Sequence, residues 1–80
     1  MTVTRAYEET VEFLAAGASP REIAEYRPSE AARNRVAELV AREKATGLTP
    51  DESSELQSAL HLEHLMRLAK SRARRHLAAE

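Results

Sequence analysis

The feature that most constrains this chain is its last segment, which runs from Pro50 to Glu80 without a glycine or a second proline. Thr49 and Glu52 flank Pro50 in a capping-box pattern, which satisfies backbone amides of a helix's first turn. About thirty helical residues span about 45 Å at 1.5 Å per residue. A compact domain of this size has a radius of gyration of only about 12 Å. We therefore expect this helix to extend past the rest of the chain.

Local signals delimit three shorter helices before it. Gly17 and Gly47 follow periodic segments as natural helix stops. Ser19, with Glu22 three residues later, forms a second capping-box pattern, and Ser29 is a favourable N-cap for the third helix. The predicted helices cover about residues 4–16, 20–26, 30–46 and 50–78.

Residues 23–28 have two interpretations. The capping box at Ser19 favours one or two helical turns that Pro28 then stops. A residue before proline avoids the α region, so Ala24–Arg27 has an extended alternative. We expect the helical form, and the extended form stays open.

The composition predicts an all-α fold. The 80 residues allow a single domain, 1–80, and hydrophobic residues make up 42% of them, with few aromatic side chains and only two glycines. We expect a small domain of three to four helices with a long C-terminal helix, forming a dimer. The chain has no cysteine, no signal-peptide pattern and no run of about 20 apolar residues. These observations predict a cytoplasmic protein that does not enter a membrane.

Apolar residues of the last helix lie on more than one of its faces. One row of them has alternating three- and four-residue spacing, which is typical of helices that associate. This seam consists of Ala59, Leu62, Met66, Ala69 and Ala73. Leaving several such side chains in water forgoes roughly 1.5–3 kcal/mol each. We therefore expect a homo-oligomer or a partner protein to cover this helix. The predicted interface consists of Leu56, Ala59, Leu62, Leu65, Met66, Ala69 and Ala73.

The end of the same helix is basic. Residues 1–66 hold seven basic and twelve acidic side chains, whereas residues 67–80 hold five basic and one acidic. A basic stripe on a helix is able to contact phosphates or an acidic protein surface, although cations also favour a helix C-terminus for electrostatic reasons. The candidate nucleic-acid contacts are Arg67, Lys70, Arg72, Arg74 and Arg75.

No residue pattern indicates catalysis or a cofactor. His61 and His64 are three residues apart, which allows a shared metal on one helix face, but no third ligand is evident in the sequence. No glycine-rich phosphate loop and no nucleophile in a sharp turn occur. We expect a protein without catalytic, metal-binding or cofactor-binding residues.

Five motifs in order resemble a largely uncharacterised family of small bacterial proteins. They are Phe13–Gly17, Ser19–Ile23, Tyr26–Glu30, Gly47–Glu52 and Leu62–Arg74. Members of that family are often encoded beside nuclease-like genes, in arrangements resembling type II toxin–antitoxin pairs. The resemblance implies an antitoxin-like interaction protein with a nuclease-like toxin as its partner, and it carries over no catalytic residue.

Two functional expectations follow. The first is a non-enzymatic protein–protein interaction module, antitoxin-like, that associates through its amphipathic C-terminal helix. The alternative is a DNA-binding transcriptional regulator that uses the basic end. A ribbon–helix–helix arrangement, with Ala24–Pro28 as the extended ribbon, is a minority form of this alternative.

Overall fold

The computed structural model describes residue 5 and residues 7–79. These residues form four α-helices and no strand, which confirms the predicted all-α fold with a long C-terminal helix. The helices are α1 (Glu8–Ala15), α2 (Pro20–Glu25), α3 (Glu30–Ala45) and α4 (Pro50–Ala78).

Both predicted capping boxes are present. In α2, Ser19 Oγ accepts from the Glu22 amide at 3.2 Å, and Glu22 Oε1 accepts from the Ser19 amide at 3.0 Å. Thr49 and Glu52 make the same reciprocal pair of bonds at the start of α4. Gly47, with φ of 89°, follows the end of α3, and its amide donates to the Arg42 carbonyl at 2.8 Å. Local chemistry therefore sets these helix ends.

The predicted start of α1 is wrong. Arg5 is not helical and Tyr7 lies in a turn, so the helix begins at Glu8 rather than at residue 4. The Tyr7 side chain makes no capping hydrogen bond, so no side-chain acceptor fixes this helix start as firmly as it does in α2 and α4. The prediction for Thr4 itself lies outside the described residues.

Residues 23–28 combine the helical and the extended form that the sequence left open. The helix continues through Ala24 to Glu25, and the backbone then becomes extended at Tyr26, with φ of −62° and ψ of 134°. The change falls two residues before Pro28, whose ring disfavours a helical conformation at the preceding residue. The extended ribbon proposed for Ala24–Pro28 is therefore not observed at its first two residues.

Helix α4 is the element on which α2 and α3 pack. Helix α3 runs antiparallel to the start of α4, where Arg42 pairs with Glu52 and Arg35 pairs with Glu55. The most extensive contact between elements is that of α2 with α4. The principal dimensions are 49 × 27 × 19 Å, and the radius of gyration is 14.4 Å.

The core is thin and follows one face of α4. Leu39 of α3 is fully buried, and it is joined by buried residues of α4 that extend from Glu55 to Ala73. The short helices are thus distributed along α4 rather than gathered at one end. We expected α4 to extend past the rest of the chain. Between Glu55 and Ala73 it does not, because other parts of the chain cover its inner face.

Candidate interaction groove

A groove of about 380 Å³ lies between α1, α3 and α4, and we call it the interaction groove. Its floor is apolar and is formed by Val36 from α3 and by Ala59, Leu62 and Met66 from α4. Ala59 and Met66 are buried, whereas Val36 and Leu62 remain partly exposed. The groove therefore presents accessible apolar surface, and its volume is in the range of ligand-binding clefts.

Three cations line the groove above this floor: Arg33, Arg67 and Lys70. Arg67 pairs with Glu63 on the preceding turn of α4 at 2.6 Å, and both side chains are exposed. Among the described residues, no carboxylate lies within ion-pair distance of Arg33 or Lys70. The described lining residues carry three positive charges and one negative charge, in a chain whose formal net charge is −1.

The α1 wall of the groove is held by Tyr26. Its hydroxyl shares a hydrogen bond of 2.9 Å with Thr10 Oγ1, and Thr10 is buried. Its ring lies against Phe13 with a centroid separation of 4.2 Å and a tilt of 31°. Burial, as the largest cause, raises the pKa of Tyr26, so the phenol stays protonated at neutral pH. Thr10 and Tyr26 thereby form one fixed side of the groove.

Glu9 ties α1 to the start of α3. Its Oε1 accepts a hydrogen bond from the Ser29 amide at 2.7 Å, and the Tyr26 hydroxyl donates to the same oxygen at 3.4 Å. Hydrogen bonding from Ser29 is the main cause that lowers the pKa of Glu9. The carboxylate is thus ionised at neutral pH and bridges three segments of the chain.

The structure distributes the predicted interface residues over three environments. Most members of the seam pack within the chain, so their apolar character is accounted for without a partner. Only Leu65 is exposed, and it points away from the groove side of α4. The buried members are Leu56, Ala59, Met66 and Ala73, and the half-buried ones are Leu62 and Ala69.

The predicted basic residues separate into two groups. Arg67 and Lys70 line the groove, where they lie beside the apolar floor. Arg72, Arg74 and Arg75 are exposed farther along α4, outside the groove. The structure therefore joins part of the predicted interface to part of the predicted basic stripe, and leaves the remaining arginines separate.

Sequence reasoning missed the residues that other helices contribute to the groove. Tyr7, Thr10, Tyr26, Arg33 and Val36 come from distant parts of the chain, and no local motif links them to α4. The Arg35–Glu55 ion pair was also missed. The sequence feature that could have indicated this pair is Glu55, an acidic residue directly beside Leu56 on the apolar face of α4.

His61 and His64 are both exposed on α4. Within residues 5 and 7–79, no group of three or more histidine, cysteine, aspartate or glutamate side chains is arranged to hold a metal ion. None of the described helices combines the length and apolar composition that crossing a membrane requires.

Comparison with known proteins adds no relative: no family model, no curated protein and no solved structure matches this chain.

Proposed function

We propose that this protein is a non-enzymatic interaction module that holds an acidic, amphipathic segment of a partner protein in the interaction groove. The observation that carries the proposal is the combination of an accessible apolar floor with Arg33 and Lys70, which have no carboxylate partner among the described residues. An apolar side chain of the partner would cover Leu62 and Val36. Carboxylates beside it would then meet the two cations.

The apolar and charged parts of the groove have different roles. Apolar burial contributes roughly 25 cal/mol per Å² removed from water, and it supplies affinity without direction. Charge complementarity speeds encounter and rejects partners of the wrong sign. A partner segment that carries both features is thereby distinguished from basic or wholly polar segments.

The antitoxin-like role belongs to this proposal. The ordered motifs that resemble the antitoxin-associated family make a nuclease-like toxin the first partner to examine. Under this proposal, an acidic segment of that toxin occupies the groove. Co-purification from the native host, followed by identification of the bound protein, would name it.

Two small probes test the chemistry of the groove directly. The anionic dye 1-anilinonaphthalene-8-sulfonate combines an aromatic body with a negative charge, whereas Nile red is apolar and uncharged. We expect the anionic dye to bind, and the double variant Arg33→Glu/Lys70→Glu to weaken its binding at least about tenfold. Nile red binding should change much less, since the floor remains.

A matched control distinguishes an effect of the groove charges from an effect of the protein's net charge. The double variant Arg72→Glu/Arg75→Glu changes the net charge by the same amount but lies outside the groove. It should leave dye binding nearly unchanged. Amide chemical shifts should move at Val36, Leu62 and Met66 when dye is added. Equal weakening by the two double variants, or shifts confined to other surfaces, would contradict the proposal.

The alternative function is nucleic-acid binding by the basic end of α4. The observation that favours it is that Arg72, Arg74 and Arg75 are exposed and form no ion pair with any described residue. Binding to duplex DNA should then fall steeply with salt, because phosphate contacts release counterions. It should also be lost in Arg72→Glu/Arg75→Glu and retained in Arg33→Glu/Lys70→Glu. The opposite pattern favours the groove, so the same two variants distinguish the two functions.

A further inference from the structure

The outer face of α4, which we define by Leu60, His61, His64, Leu65 and Leu68, is open to solvent. At about 100° of rotation per residue, His64 and Leu68 lie opposite the buried residues, and Leu60 and Leu65 lie at the two edges of this face. The three leucines are 47%, 50% and 54% exposed. This face is distinct from the interaction groove, none of whose lining residues belongs to it.

Three exposed leucines within nine residues form the most concentrated apolar patch of the described surface. Among the residues that the structure describes, the other large exposed hydrophobic residue is Val11, which lies on α1. Isolated apolar side chains are ordinary on a protein surface, but a contiguous group marks a contact. No described helix covers this group, because α2 and α3 pack on the inner side of α4.

We infer that the outer face of α4 pairs with the same face of a second copy of this chain, with the two helices antiparallel. A two-fold symmetric contact requires a surface that complements itself. Leu60 and Leu68 lie four residues on either side of His64. A two-fold axis near His64 therefore brings Leu60 of one copy level with Leu68 of the other, so these two leucines meet twice across the axis, while Leu65 lies one residue from it.

The charges on α4 select the antiparallel direction. Arg72 and Arg75 continue the outer face toward the C-terminal end, whereas Ser53 and Gln57 continue it toward the N-terminal end. A parallel pair would place the arginines of both copies side by side, and like charges at such distances repel. The antiparallel pair places each arginine opposite uncharged polar residues. It also aligns the two helix dipoles favourably.

The size of the contact limits its strength. A single pair of helices buries less surface than the roughly 1,200 Å² typical of stable complexes. The dimer should therefore form and dissociate with concentration. Because the interaction groove opens on another side of α4, dimerisation and groove binding are independent, and one is able to fail without the other.

Sedimentation equilibrium over a range of protein concentrations tests the association. We expect a monomer–dimer equilibrium that Leu65→Glu/Leu68→Glu weakens at least about tenfold. Val11→Glu is the control, since it places the same charge on an exposed apolar residue of α1. It should leave the equilibrium unchanged, and circular dichroism should show that all variants remain helical. A wild-type protein that stays monomeric up to about 1 mM overturns the inference.

Spin labels test the direction. The chain has no cysteine, so Ser53→Cys and Arg75→Cys each introduce a single attachment site. Each position lies eleven residues from His64, so an antiparallel dimer separates identical labels by about 33 Å along the axis. A parallel dimer brings identical labels to about 10 Å, the spacing of packed helices. Long distances for each variant and a short one for their mixture support the inference, and short distances for each variant alone overturn it.

Discussion

The guanidinium of Arg35 on α3 donates from Nε and Nη2 to the two carboxylate oxygens of Glu55 on α4, at 2.9 and 3.1 Å. The Glu55 side chain is 7% exposed and that of Arg35 is 23% exposed. The hydrogen bond to Glu55 is also the main cause that raises the pKa of Arg35. This two-point contact joins the two longest helices, so its loss should lower the free energy of unfolding of the whole domain.

Removing Arg35 should destabilise the protein more than removing Glu55. Arg35→Ala leaves a buried carboxylate without this cation and should cost about 2–3 kcal/mol, somewhat less than a fully buried pair because Arg35 is partly exposed. Glu55→Ala leaves a guanidinium that water reaches, and should cost less. Urea denaturation measures both. Arg42→Ala, which removes a more exposed pair with Glu52, should cost under about 1 kcal/mol. Equal losses for Arg35→Ala and Glu55→Ala would be inconsistent with this account.

Tyr26→Phe should lower the free energy of unfolding by about 1 kcal/mol. The substitution keeps the ring contact with Phe13 but removes the hydroxyl that is bonded to the buried Thr10. Tyr7→Phe is the control, because the Tyr7 hydroxyl accepts an exposed hydrogen bond from Arg5 and should be nearly neutral. Thermal unfolding followed by circular dichroism compares the two. A neutral Tyr26→Phe would show that Thr10 finds another partner.

Glu9 should make stability depend on pH in the acid range. Its pKa in the folded state is below the ordinary value of 4.5, because Ser29 donates to the carboxylate. The unfolded chain therefore takes up the proton first as pH falls. The stabilisation is complete above pH 4.5 and is lost as pH falls through the folded-state pKa.

Glu9→Gln should accordingly be less stable than the wild type at pH 7, and the difference should shrink below pH 4.5. Urea midpoints across pH 3–7 provide the measurement. Glu12→Gln, on the exposed side of α1, is the matched control and should follow the wild-type curve. A constant difference between Glu9→Gln and the wild type at every pH would contradict the assignment.

Glu63→Gln should strengthen binding of an anionic probe to the interaction groove. Among the described residues that line the groove, Glu63 is the only acidic one, and its Oε1 pairs with Arg67 Nη2 at 2.6 Å. Two unit charges about 4 Å apart in water interact by about 1 kcal/mol, so the gain should be about fivefold. Titration with 1-anilinonaphthalene-8-sulfonate measures it, with Glu12→Gln again as the control. No gain would mean that the anion does not meet Arg67.

Helix ends and helix faces differ in how far the sequence predicts them. The starts of α2 and α4 were predicted correctly because Ser19 and Thr49 act on backbone groups only three residues away. The start of α1 was not, since Tyr7 provides no side-chain cap. For the candidate site, the sequence identified Leu62, Arg67 and Lys70 as separate features of one helix. It did not indicate that Arg33 and Val36 would face them.

The sequence by itself determined an all-α chain with a long last helix, because caps, stops and helical periodicity depend on neighbours within a turn or two. Only the tertiary structure decided which face of that helix became core. A periodic apolar face looks the same whether its cover comes from the same chain or from another molecule. The packing of the chain against α4 buried Met66 and Ala73 and left Leu60, Leu65 and Leu68 in solvent. Which face of α4 is buried depends on contacts between residues far apart in the chain. Those contacts formed the interaction groove and left the outer face of α4 exposed.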